Sequence, residues 1–290
     1  MLALSRSLIA SLLIAVSGFW ALPACSADEK PAAQALSPTE AFVGRFDDSR
    51  YAELLTGFTR EGTIGGVSVV AVDYAALAKQ KASPGALYSR VLADFAAVDP
   101  AALAGEEARK AFWMNAYNIG AIKMIVDHWP VDSITSRKIS LLGSPWKKKI
   151  LTIGGKDYSL DAIEHGILLG EMRELRTHWA IVCASVSCPN LRREPFRAGT
   201  LDAQLAEQGR GFFKDPRKGA RVDREAGTLQ VSKIYKFDRK NFETLGGGIG
   251  KVVAAYLEKP EEKAWVEKGE WDLAIFGYDW SVNDVSRLDR

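Results

Sequence analysis

The chain has 290 residues, 47% of them hydrophobic, and its 38 basic and 36 acidic residues leave a formal net charge of +2. That hydrophobic fraction supports a packed core, and the charge balance provides no global field for nucleic acid or an anionic membrane. No nucleic-acid partner is expected, and the one basic cluster, Lys147-Lys148-Lys149, reads as a solvated loop before a strand.

The chain opens MLALSRSLIASLLIAVSGFWALPAC. Arg6 supplies a positive charge, Leu8–Leu22 runs without one, and small residues follow at Ala24, Ser26 and Ala27. This is the order of a secretory signal peptide. The apolar run is about 15 residues, against the roughly 20 of a membrane span. Residues 1–25 therefore read as a leader. Leu22-Pro23-Ala24-Cys25 resembles a lipobox, with Pro23 an imperfect fit, which would make Cys25 a lipidated first residue. Plain cleavage near Ala24–Ala27 is the equal alternative, and membrane contact is expected only through such a lipid. Residues 26–42 are small, polar and Pro-containing, and read as a tether. Residues 43–290 read as one globular domain, periplasmic or secreted.

Gly65–Asp73, GGVSVVAVD, predicts a strand. Leu87, Val91, Leu92 and Phe95 recur at helical spacing. Glu106–Trp129 is the clearest helix, opening on Glu106 and Glu107 and stopping before Pro130. It is apolar nearly all round, which predicts burial. Asn115 and Asn118 sit on that greasy surface, where an amide needs partners. Either both tie down loop backbone, the commoner use, or one orients a catalytic group or binds a polar ligand. His128, near the end of this helix, reads as a favourable charge at a helix C-terminus.

Lys149–Ile153, Gly154-Gly155 and Lys156–Leu160 predict a hairpin. A helix is expected from Asp161, with Asp161 and Glu164 at the spacing of a capping box. Glu164 falls inside the apolar stripe Leu160, Ile163, Ile167, Leu168, so it is either a cap or a partnered acid. Capping leaves the neighbouring His165 unexplained. Thr177–Ser185, with its continuous apolar run Ala180–Cys183, predicts a strand buried on both faces, and Ser185–Pro189 the loop after it. A helix at Thr200–Phe213, a hairpin of Arg221–Asp223 with Thr228–Ser232, a helix at Gly250–Leu257 and a strand at Trp271–Tyr278 follow. The glycine-rich LGGGIGK at Leu245–Lys251 lacks the residues of a phosphate loop and of a dinucleotide fingerprint. Without a regular βαβ alternation, the expected fold is α+β: one domain with helices packed on a small, mostly antiparallel sheet.

The chemistry concentrates in Cys183, Cys188, His165 and His178. Cys188, in a loop after a strand, is a candidate thiol nucleophile, which needs a base to become thiolate. His178 would begin the same strand, ~30 Å from Cys188 if the chain is fully extended. His165 is therefore the freer base, and Glu164, Asn115 or Asn118 could orient the imidazole. A Cys183–Cys188 disulfide is the equal competitor, favoured by an oxidising compartment. Zinc on two Cys and two His fits four-ligand stoichiometry but not the usual pairwise spacing. Neither a metal nor another cofactor is expected. The aromatic tail Trp271, Phe276, Tyr278 and Trp280 would wall a pocket or, as tryptophans more often do, fill core.

AFWMNAYN (Ala111–Asn118), YSLDAIEHGIL (Tyr158–Leu168), HWAIVCASVSCPNL (His178–Leu191), VSKIYKF (Val231–Phe237) and YDWSVN (Tyr278–Asn283) occur in one order. On these stretches the chain resembles the bacterial and plant family named for domain of unknown function 547. Asn118-Ile119 and Leu169 depart from the family's usual residues without touching the polar positions. The resemblance implies a single α+β domain, often secreted in bacteria, and no activity. The expectation is a secreted or envelope Cys-His thiol hydrolase or transferase acting on small peptide amide or thioester bonds. A small peptide or thiol-containing ligand is its partner. The rival is a non-catalytic envelope binding domain stapled by Cys183–Cys188.

Overall fold

After α1 (Ser49–Gly57), strands β1 (Thr59–Ile64) and β2 (Val67–Val72) pair antiparallel. The strand expected at Gly65–Asp73 is β2. Its partner, TREGTI, is buried only at its two ends and so carries little apolar pattern of its own. The computed structural model describes residues 46–141 and 144–290, which fall within one compact unit, Pro38–Arg290. The leader, the lipobox at Cys25 and the tether lie outside the described residues.

Next come α2 (Tyr74–Gln80), α3 (Leu87–Ala97) and α4 (Glu106–Asp127). Asp73 caps α2 by accepting from the Ala76 N–H, which satisfies one of the free donors at a helix start. As its composition predicts, α4 is buried almost throughout, from Ala111 to Val126. It is the axis of the main core and packs against α2, the hairpin β3 (Lys149–Ile153)–β4 (Lys156–Ser159) and the helix that follows it. His128 is the residue that closes α4. Its Nδ1 is 2.8 Å from Met124 O and its Nε2 is 2.8 Å from Lys148 Nζ.

The expected helix after Asp161 is present, but over Ala162–Glu171 it is a π-helix. Its last turn closes with Met172 N–H donating to Ile167 O, five residues back. Gly170 permits the wide turn, because a Cβ there would lie 2.6 Å from His165 O. The capping box is not formed. Asp161 makes no side-chain cap, and Ser159 Oγ accepts from the Ala162 N–H instead. π-Helix is rare, and its commoner form, the single-turn π-bulge, is frequent at functional sites.

The strand expected at Thr177–Ser185 is absent. Thr177–Ala180 is a short helix, α5, and the chain then turns irregularly, with Ala184 at φ 57°. A continuous apolar run signals burial and not strand geometry, and burial is what Trp179–Val182 share. Beyond it α6 (Leu201–Lys214), β5 (Ala220–Asp223), β6 (Thr228–Val231), α7 (Lys233–Phe237), α8 (Arg239–Thr244), α9 (Ile249–Ala254), α10 (Pro260–Lys268) and β7 (Asp272–Ile275) follow. β5 and β6 are antiparallel and β7 adds parallel to β6. A second core gathers Trp179, Phe212, Phe213, Leu229, Val231 and Val253. The fold is α+β as expected, with its strands divided among three small, mostly antiparallel sheets rather than one.

A disulfide-floored aromatic cleft

Cys183 and Cys188 are joined in a disulfide with Cα atoms 6.2 Å apart. The five-residue separation closes a tight loop, and Ala184 within it takes a left-handed conformation that costs a side-chain-bearing residue about 1–2 kcal/mol. The surroundings hold it there. Ser185 bridges to Val282, Val186 N–H donates to Ser281 O, and Ser187 N–H donates to Asp279 O. The Asp279 N–H returns a bond to Ser187 Oγ at 2.8 Å. The loop is thus zipped to the chain's aromatic tail. Neither stretch could signal this alone, because the contact spans about ninety residues.

Asn115 and Asn118 act on backbone. Asn115 Nδ2 donates to Phe196 O and its Oδ1 accepts from Phe196 N–H, both at 2.9 Å. Asn118 donates to Ala180 O at 3.1 Å and accepts from Val182 N–H at 2.9 Å. Both amides are 2% exposed and use both ends, so neither is left to orient an imidazole. Asn118 instead fixes the residue that precedes Cys183.

Lys218 supports the loop from the other side. Its Nζ, in a residue 4% exposed, donates to Cys188 O at 2.9 Å and Asn190 Oδ1 at 2.7 Å. Burial pushes its pKa down to about 8, partly offset by the charge of Asp215. Because the folded pKa is below the unfolded one, the unfolded chain binds more protons between the two values, and stability rises with pH there. The two acceptors favour the charged form, so the gain should be smaller than the full shift, about 1 kcal/mol between about pH 8 and pH 10. Above about pH 10 the buried tyrosines Tyr51, Tyr74 and Tyr117, with raised pKa values, reverse the trend. Urea titrations across this range check the rise, and Lys218→Met should flatten it.

The disulfide forms the floor of a cleft of about 460 Å³. Glu164 and His165 from the π-helix, His178 from α5 and both cysteines line it. Here the ~30 Å separation expected of His178 and Cys188 is overturned: with no strand between them, the chain folds back and both face one cavity. His165, 49% exposed, sits at the rim with Nδ1 3.2 Å from Asp161 Oδ1. His178, by contrast, is buried and stacks on Phe242, with ring centroids 4.8 Å apart and 12° between planes. Its Nε2 is 3.0 Å from Asp238 Oδ2, yet the angle falls short of a hydrogen bond. The proximity still counts electrostatically. Burial opposes ionisation of Asp238, but His178 and Asn241 outweigh it and hold the carboxyl below its ordinary range.

Glu164 accepts from Tyr117 Oη at 3.0 Å, which is its partner in place of a helix cap. Burial first, then the charge of Glu164, push the Tyr117 phenol well above its ordinary pKa, so it remains a donor. Tyr278 Oη lies 3.3 Å from Cys183 Sγ and 3.2 Å from Cys188 Sγ. Burial likewise raises its pKa, with Glu164 adding to this and Ser185 opposing it. Ser185 Oγ donates to Cys188 Sγ at 3.3 Å, and Cys183 N–H donates to the same sulfur at 3.0 Å. Among the described residues no imidazole is hydrogen-bonded to either sulfur.

Tyr117, Trp146, Phe237 and Asp238 are the site residues that local sequence patterns missed, whereas Tyr278 and Trp280 stand in the wall expected of the aromatic tail. The signal for most of these residues lay in the motifs: Phe237 ends VSKIYKF, Asp238 follows it, and YDWSVN carries Tyr278 and Trp280. Of the aromatic tail, Tyr278 and Trp280 wall the cleft, while Trp271 packs in the second core and donates to Val266 O. A second hollow, of about 730 Å³, holds charges largely matched internally, with Arg192 on Glu207 and Arg193 on Glu61. Among the described residues no group of three or more His, Cys, Asp or Glu could hold a metal ion. No helix there is long and apolar enough to cross a membrane.

Fold and cleft together define an α+β domain with an aromatic cleft lined by a disulfide. Residues 100–213 match the family model described as "Protein of unknown function, DUF547", so the chain resembles that family over this stretch. The match takes in α4, the π-helix and the disulfide loop, and ends before VSKIYKF and YDWSVN. No curated protein and no solved structure matches the chain.

Proposed function

We propose that this is a secreted or envelope domain that binds a small ligand in the cleft, with the Cys183–Cys188 disulfide as its structural floor. The observation that carries this is the convergence of Glu164, His165, His178 and both sulfurs on one aromatic-walled cavity, with the sulfurs already bonded to each other. A pocket with apolar walls and a few convergent polar groups is the usual form of a small-molecule site. A leader at residues 1–25 and a disulfide both suit an oxidising compartment.

A second reading keeps the thiol chemistry. Once reduced, Cys188 would share the cleft with two imidazoles, and a thiol hydrolase or transferase acting on small peptide amides or thioesters becomes available. Alkylation of the native protein without reductant, followed by peptide mapping, separates the two. The binding reading expects Cys183 and Cys188 unmodified until a reductant is added. Rapid labelling of Cys188 in the native protein would favour the thiol enzyme instead.

A further inference from the structure

The charges and rings of the cleft do not match each other in the way a self-contained core would. Trp146, Phe237, Tyr278 and Trp280 touch edge to face or tilted, with centroids 4.4 to 5.7 Å apart, and all four line the cavity. Among the described residues the cation–π contacts are Lys156 on Tyr158, Arg192 on Phe196 and Arg239 on Tyr235. None falls on a cleft ring.

Three carboxylates, Asp161, Glu164 and Asp238, line the same cavity. Their close partners are His165, Tyr117 and His178, an imidazole, a phenol and an imidazole. No lysine or arginine is paired with them among the described residues, and Lys147 is the one ammonium or guanidinium in the lining. Other carboxylates in the fold are gripped by cations. Glu174, for example, is gripped by Arg176 and Lys110.

An independent observation comes from His178. It is 4% exposed and lines the cleft, and its Nε2 lies 3.0 Å from Asp238 Oδ2 without a hydrogen bond of adequate geometry. A buried polar atom left in this state calls for a partner.

We propose that the cleft takes an organic cation, an ammonium group faced by the aromatic rings and drawn by the carboxylates, with a hydroxyl or carbonyl of the same ligand reaching His178. This rests on the cleft being the ligand site. Ring faces attract cations through their quadrupole, and more strongly once the cation is desolvated. The Asp238 side chain is only 13% exposed, and a carboxylate so placed is less screened than one at the surface. The ammonium can come from a quaternary headgroup or from a lysine side chain.

Calorimetric titration of the purified full chain tests this with matched pairs. Choline is compared with 3,3-dimethylbutan-1-ol, its uncharged isostere, and acetyl-lysine amide with acetyl-leucine amide. The expected result is that at least one cation binds about tenfold or more tightly than its neutral partner, and the better pair identifies the source. Glu164→Gln keeps an acceptor for Tyr117 and should weaken the cation about threefold while leaving the neutral partner unchanged. Trp280→Leu should weaken it about tenfold. Equal binding within both pairs overturns the cation proposal and leaves the ligand-binding cleft standing. No binding of any of the four overturns both.

Discussion

Asn118→Ala is expected to lower the unfolding free energy by about 4 kcal/mol, because it strands two buried backbone groups at about 1–3 kcal/mol each and leaves a small cavity. Asn118 is 2% exposed, and its amide satisfies Ala180 O and Val182 N–H at once. Its same-face neighbours on α4 are Met114, Ala121 and Ile122, which carry no amide, and Asn115, already bonded to Phe196. For a domain of this size the loss should appear as a drop of roughly 10 °C in Tm. Asn118→Asp retains the acceptor for Val182 but, when ionised, sets a buried charge against Ala180 O, so at neutral pH it should be at least as unstable as alanine. The effect should also reach the cleft, because Val182 precedes Cys183 and both line the cavity. A Tm within 2 °C of wild type, about 1 kcal/mol or less, would mean that the amide does not hold this turn.

The second large effect is expected from opening the disulfide. The double variant Cys183→Ser, Cys188→Ser should lose about 2 kcal/mol, the chain-entropy value for so short a loop, and roughly 5 °C in Tm. Reduced wild type should melt with the variant, and oxidised wild type above both. The short loop limits the entropic gain, so any loss much beyond this would come from the native state itself. There the bridge holds Ala184 at positive φ and the floor against Tyr278 and Ser185. If oxidised and reduced protein melt together, the bridge is not a staple, and a redox or nucleophilic use of Cys188 gains ground.

These two predictions concern different parts of what could be read beforehand. Asn115 and Asn118 were visible as amides on a greasy helix, and the common use of such groups, holding loop backbone, is the use they have. Their partners at Phe196 and at Ala180 and Val182 were not visible, because no local pattern specifies which loop a buried amide meets. Glu164 illustrates the opposite case. Its spacing from Asp161 matched a capping box, a purely local device, and tertiary structure overrode it by placing Tyr117 within reach. The strand expected at Thr177–Ser185 failed for a similar reason. Ala180–Val182 is apolar because it is buried, and burial alone does not specify extended geometry.

The amino-acid sequence by itself determined what is local: the long buried helix, the glycine-turn hairpins, and the concentration of cysteine and histidine in one region. Periodicity, turn chemistry and composition act over a few residues, so they can be read from a few residues. Tertiary structure decided what is distant. It chose a sulfur as the partner of Cys188, aligned the tail from Asp279 to Val282 with the disulfide loop, and set Asp238 beside His178. Those pairings follow from how the whole chain closes around α4. Packing, hydrogen-bond satisfaction and chain entropy are balanced there over contacts far apart in sequence, and no single stretch encodes the outcome.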